Sequence, residues 1–294
     1  MTSMMTRVAS KKEASLHSSV EADVQQYRDN GFSRFPAFLD LPALVTPLQT
    51  QIRQVIDLVR RRSGLGTSTG DVFDAGLPEL LEKDRKAVSA VYDAVRKVPA
   101  FFALATHPSV WNLVKRLMNT ELPGLYAQGS GIRMDHPDED QYLSPWHQEY
   151  PSHLCSLDML TLWIPLVEVD ETVGSVIFAP GSHKEGLLKV HLDDPLNTNH
   201  NGAKATAIVD LNKYLAKYPQ TSVDTKPGDV VALHGLTLHA SRPNRSQRTR
   251  WSVQLRYFNF LNQDGIRIGW TGGMLAGVDL RKVHPEAVVE RSAR

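Results

Sequence analysis

Cysteine is almost absent from this chain. Cys155 is the only one in 294 residues, which excludes an intramolecular disulfide and any cysteine-based zinc site and fits a reducing compartment. Charge of one sign is missing too: 33 basic residues face 32 acidic ones, a net charge of +1. That balance supplies no global field for nucleic acid or an anionic membrane, so the expected partner is a small molecule. No apolar run is long enough to cross a bilayer. The opening MTSMMTRVASKKEASLHSS has no apolar core of the secretory kind, and the expected location is cytoplasmic. With 41% hydrophobic and 22% charged residues, the composition suits an ordinary folded core.

Internal repeats and linkers rich in Pro, Gly or Ser are also lacking, so we read one domain. Residues 1–19 form a polar lead-in expected to be disordered. The domain spans 20–294, with a helical part over 20–120, a strand-rich core over 122–262 and a C-terminal loop and tail over 263–294. Helical spacing of apolar residues runs through Val20–Phe38 up to Asn30-Gly31, and through Leu41–Arg62, Glu79–Val98 and Val110–Met118. Strand character follows in Leu125–Met134, Leu157–Val167, Ser175–Phe178, Asp229–Leu233, Thr237–His239 and Arg250–Leu261, separated by turn signals. Helices followed by many short strands imply a mainly β fold, a sandwich or barrel packed against helices.

In RWSVQLRYF, Arg250, Ser252, Gln254 and Arg256 alternate with Trp251, Val253, Leu255 and Tyr257. Period two with one polar and one apolar face marks a half-buried strand. Its polar face meets either water or the polar interior of a barrel.

WHQEY at 146–150 sets His147 and Glu149 two apart, where an extended segment points both side chains the same way. Alone, a His-X-Glu triplet is weak evidence for a metal site. Two histidines and one carboxylate are nonetheless the ligand set of Fe(II) oxygenases, and they leave positions open for a bidentate 2-oxo acid and O2. The third ligand is His234 or His239, both within DVVALHGLTLHAS. A 2-oxo acid such as 2-oxoglutarate also needs a partner for its distal carboxylate. Arg250 can offer a two-pronged fork and Ser252 a hydroxyl, which favours the barrel interior for the polar face.

Together these segments resemble the phytanoyl-CoA dioxygenase family of Fe(II)/2-oxoglutarate oxygenases. WHQE at 146–149 is similar to its WHQD. LTLWIPL at 160–166, ETVGSVIFAPGSHKEG at 171–186 (VG where NG is usual) and KPGDVVALHGLTLHAS at 226–241 are similar to its later motifs. Arg250 follows eleven residues after His239. The resemblance covers roughly 20–261. It implies a double-stranded β-helix, a jelly-roll barrel with N-terminal helices, over the strand-rich core. It also implies iron ligands His147, Glu149 and His239, Arg250 on 2-oxoglutarate, and Trp163 and Ser241 beside the cosubstrate. Gln128 and Ser130 fall where family members often contact 2-oxoglutarate.

Glu149 departs from the family's usual aspartate. It carries the same charge on a longer arm, and its presence argues against halogenation. The implied reaction is hydroxylation of an unactivated C–H of a small polar, possibly anionic, metabolite, with succinate and CO2 as co-products. Arg256, Arg133, Tyr150, His153 and Trp270 are the candidate substrate contacts. Three rival readings remain: an oxygen-independent divalent-metal enzyme on the same barrel, an isomerase or hydrolase; a non-catalytic metal-binding barrel; and a purely structural domain without metal, the last two disfavoured by the intact ligand set with Arg250.

Overall fold

The computed structural model describes residues 20–192 and 206–290. The expected lead-in lies outside the described residues. Helix α1 (residues 20–30) ends at Asn30-Gly31, where the turn signal places its end, and a four-residue strand, β1 (Phe32–Phe35), follows. Helices α2 (Thr46–Arg62), α3 (Leu77–Lys83), α4 (Arg85–Val95), α5 (Pro99–Ala105) and α6 (Pro108–Met118) follow. The helix expected over Glu79–Val98 is two helices. Asp84 breaks it, and its carboxylate accepts from the N–H groups of Lys86 and Ala87 to cap α4.

Ten further strands follow: β2 (Pro123–Leu125), β3 (Gly131–Asp135), β4 (Met159–Pro165), β5 (Val176–Phe178), β6 (Val190–His191), β7 (Ala207–Ile208), β8 (Thr221–Ser222), β9 (Val230–His234), β10 (His239–Ser241) and β11 (Arg250–Asn259). All named pairings are antiparallel. One sheet runs β1-β9-β4-β11, with β2 and β3 both paired to the free edge of β11; a second runs β10-β5-β8, and β6 pairs with β7. The short helices α7 (Tyr150–His153), α8 (Leu211–Lys217), α9 (Gln263–Ile268) and α10 (Leu280–Val283) sit in the connections and the tail. The architecture is therefore mixed helix and antiparallel sheet rather than mainly β, and among the described residues the sheets do not close into a barrel.

Strand β11 explains why the helices and the site lie on opposite faces of the large sheet. Trp251, Val253, Leu255 and Tyr257 are completely buried and join the core with the helices. The Trp251 ring meets Phe73 edge-on at 5.0 Å, and the Tyr257 ring meets Trp111 at 6.1 Å. The Tyr257 hydroxyl donates to the carbonyl of Ala105 at 2.7 Å. Each such side chain contributes roughly 1.5–3 kcal/mol by leaving water. On the other face, Arg250, Gln254 and Arg256 line a cavity of about 170 Å³ between the two sheets. The segment expected as a C-terminal loop is instead a chain of short helical turns: α9, Gly273–Ala276, α10 and Pro285–Ala287.

Candidate metal centre

His147 and Glu149 lie between β3 and β4, and His239 opens β10. His147 and His239 form an antiparallel bridge, each backbone N–H donating to the other's carbonyl, at 3.0 and 3.2 Å. Gln148 points the other way. Its amide nitrogen donates to the carbonyls of Gly186 and Leu236, both at 2.8 Å, and its oxygen accepts from Leu188 N–H at 2.9 Å. Those bonds pin the segment from behind and leave its two neighbours facing the cavity. A ligand atom from each of His147, Glu149 and His239 lies within 4.8 Å of the others, and all three residues are buried.

Backbone carbonyls take the Nδ1 side of both imidazoles. His147 Nδ1 donates to the carbonyl of Pro145 at 2.7 Å, and His239 Nδ1 donates to that of Thr237 at 3.0 Å. A carbonyl only accepts, so each Nδ1 carries a proton and Nε2 is the nitrogen left to act as a ligand. Burial first, and then the neighbouring His239, push the His147 imidazole down to about 3. Burial works to raise the Glu149 carboxyl, but the Arg256 guanidinium and then the bond from His153 hold it well below the usual carboxylate range. Two bare imidazole nitrogens and an ionised carboxylate on one wall fit a divalent metal ion. His234 stays outside this group: its Nδ1 accepts from Leu236 N–H at 3.1 Å and its ring lies against His183 at 5.6 Å.

Arg250 is 1% exposed and sits directly across β3 from Asp135. Its Nε and Nη2 donate to Asp135 Oδ2 at 3.2 and 2.9 Å, and its Nη1 donates to the carbonyl of Gly174. Arg133 Nε donates to Asp135 Oδ1 at 2.9 Å, with Nη1 on Ser144 Oγ at 2.9 Å. Burial works to raise the Asp135 carboxyl, but Arg133 and Arg250 outweigh it and hold it down. Three guanidinium groups thus share the carboxylates of Asp135 and Glu149, which leaves one positive charge unmatched. The surplus lies at the Arg133–Arg250 end, where Asp135 already holds two cations.

Trp163 and Ser241 also line this cavity. Ser252 is buried with its hydroxyl unpartnered among the described residues, and it is not on the cavity wall. Ser130 is occupied as a brace, donating to Tyr126 O and accepting from Arg256 N–H, both at 2.9 Å. Gln128 is exposed and off the cavity.

Of the expected substrate contacts, Arg133, His153 and Arg256 reach the cavity. Arg256 has an internal partner, Glu149, with Nε to Oε2 at 3.0 Å and Nη2 to Oε1 at 3.2 Å. The Tyr150 hydroxyl meets Asp264 Oδ2 and His284 Nε2, both at 2.6 Å, in the C-terminal tail. Trp270 is 36% exposed and packs its ring on Phe260 at 5.3 Å; neither it nor Tyr150 lines the cavity. Sequence reasoning missed Asp135, Thr161 and Gly174. Asp135 follows Arg133 by two on a strand, which puts both on one face, but its pairing with Arg250 needs the register of two distant strands.

Two imidazoles, one carboxylate and an unmatched arginine charge in one buried cavity match the ligand set of a mononuclear non-haem Fe(II) centre. Residues 27–252 match the phytanoyl-CoA dioxygenase family. The chain therefore belongs to that family. It is 26% identical over 179 residues to a probable phytanoyl-CoA dioxygenase of Caenorhabditis elegans, covering 59% of this chain and 55% of the relative. It is 25% identical over 226 residues to a 1-deoxypentalenic acid 11-beta-hydroxylase of Streptomyces arenae, covering 75% of this chain and 73% of the relative. The chain spans about half the length of the first curated relatives it matches, 55% and 40%. Among solved structures it is similar to the epimerase SnoN in complex with Fe3+, alpha ketoglutarate and nogalamycin RO. There the TM-score is 0.56 at 20% identity, over 82% of this chain and 84% of that one. The carbocyclase SnoK from nogalamycin biosynthesis gives 0.52 at 20% identity, over 81% and 83%. These likenesses concern the fold. Among the described residues no helix is long and apolar enough to cross a membrane.

Proposed function

We propose that this protein is an Fe(II)/2-oxoglutarate-dependent dioxygenase that hydroxylates an unactivated C–H of a small polar metabolite. The observation that carries the reading is the meeting, in one buried cavity, of the His147–Glu149–His239 set with Arg250. Iron and 2-oxoglutarate, when bound, supply the oxidation by O2, in which the cosubstrate leaves as succinate and CO2. Family membership, and relatives named as dioxygenase and hydroxylase, support the same chemistry. A double-stranded β-helix is the fold this reading implies, supported by two antiparallel sheets with the site between them. The buried free thiol of Cys155 suits a reducing compartment, and we place the protein in the cytoplasm.

The chain's own residues divide the work. His147, Glu149 and His239 hold the metal and leave its other positions open. Arg250 takes the distal carboxylate of 2-oxoglutarate through the N–H groups that Asp135 and the Gly174 carbonyl leave free. Trp163 and Val176 wall the cosubstrate off from water. Ser152 Oγ and Thr161 Oγ1 are buried on the cavity wall without partners among the described residues, and a polar ligand satisfies them. Arg256 is committed to Glu149, so the reading does not extend to a substrate anion held by it.

The test is succinate release from 2-oxoglutarate in air across a panel of polar metabolites, with His239→Ala as control. Succinate formed by the native protein and lost in the variant is the expected result. Product formed without O2 and without 2-oxoglutarate contradicts it and favours an oxygen-independent metal enzyme.

A further inference from the structure

Glu149 carries one methylene more than the family's usual aspartate, and the structure shows what accommodates it. The carboxylate is gripped asymmetrically. Oε2 accepts from Arg256 Nε at 3.0 Å and from His153 Nε2 at 2.8 Å. Oε1 accepts only the longer bond from Arg256 Nη2, at 3.2 Å, and lies 3.6 Å from His239 Nε2, beyond hydrogen-bond reach. The grip does not follow Glu149 about. Arg256 is fixed from outside, with Nη1 on the carbonyl of Gly129 and Nη2 on Gln254 Oε1 at 2.8 Å. His153 is fixed by position, four residues after Glu149 at the far end of α7, on the same side of the turn.

We propose that Arg256 and His153 are positioning residues for the metal-ligating carboxylate. They hold Oε2 from two sides so that Oε1 alone faces the two imidazoles, and the longer glutamate binds the metal through one oxygen. The proposal rests on the metal-centre reading above. A free glutamate has one more rotatable bond than aspartate, and loss of the grip gives that freedom back. Partners of this kind on a ligating carboxylate typically change metal affinity 10- to 100-fold.

The test uses the metal-free full chain and Co(II), titrated anaerobically by calorimetry, with the visible ligand-field spectrum of the Co(II) form as second readout. The spectrum reports coordination number, which a purely structural role for Arg256 leaves unchanged. The expected result is Co(II) binding weakened on the order of tenfold in Arg256→Gln with an altered spectrum, and partial recovery of both in Arg256→Lys. If Arg256→Gln does not fold, His153→Phe removes the other donor on Oε2 and is expected to weaken Co(II) several-fold. Unchanged affinity and spectrum in the folded variant overturn the proposal while leaving the metal centre standing. Tighter binding overturns it too, because Arg256 then acts as a rival cation. No binding of Co(II) by the native protein overturns the metal-centre reading itself, and this proposal with it.

Discussion

Gly174 carries more of the site than its size suggests. Its φ is +93°, and a Cβ there lies 2.7 Å from the carbonyl oxygen of Arg242 and 3.2 Å from Arg250 Nη1. Its own carbonyl accepts from that Nη1. Gly174→Ala therefore meets a strained backbone conformation and a wall at once. The expected loss is about 1–3 kcal/mol of stability, with a several-fold higher KM for 2-oxoglutarate, read by thermal unfolding and cosubstrate titration. A stable variant with unchanged KM contradicts this account of the arginine pocket. At this scale the sequence was informative where function is written in adjacent residues. His147 and Glu149 stand two apart, and the motif around them is specific. It was silent where function depends on strand register, as with Asp135 opposite Arg250. For Arg256 it placed the side chain on the cavity wall but did not show its partner there, Glu149.

Strand β11 was readable because eight residues of strict alternation, Arg250–Tyr257, leave no other period available. Its apolar face is a single packing unit, and Trp251 is its largest member, wholly buried against Phe73. Trp251→Ala is expected to cost about 3–5 kcal/mol, measured by denaturant unfolding. It should weaken 2-oxoglutarate binding as well, since Arg250 is the preceding residue on the same strand. A loss below about 1 kcal/mol contradicts the packing described. Several short elements escaped the sequence. Strand β1 has four residues and follows a helix directly. The tail turns α9, Gly273–Ala276 and α10 have six, four and four residues, too few to show a 3.6 period.

Over the whole molecule, the buried histidines make folding depend on pH. His234 is pushed down to about 4, by burial first and then by the nearby His183. The folded protein keeps this imidazole neutral, while the unfolded chain takes up a proton below about 6.5. The unfolded state therefore binds more protons between about pH 6.5 and 4, and stability falls as pH falls through that window. At pH 5 the His234 share of the loss is about 2 kcal/mol. His234→Asn keeps an acceptor for Leu236 N–H and removes the titration, so the gap in unfolding free energy between pH 7 and pH 5 should shrink by about that amount. An unchanged gap contradicts the assignment.

The most direct test of the central claim is spectroscopic and needs no substrate. Metal-free protein is given Fe(II) and then 2-oxoglutarate without oxygen, and the weak visible metal-to-ligand charge-transfer band of a chelated 2-oxo acid is sought, with Arg250→Ala alongside. The account predicts the band in the native protein and a much higher 2-oxoglutarate concentration to reach it in the variant. Iron bound with no band at any 2-oxoglutarate concentration would contradict the account.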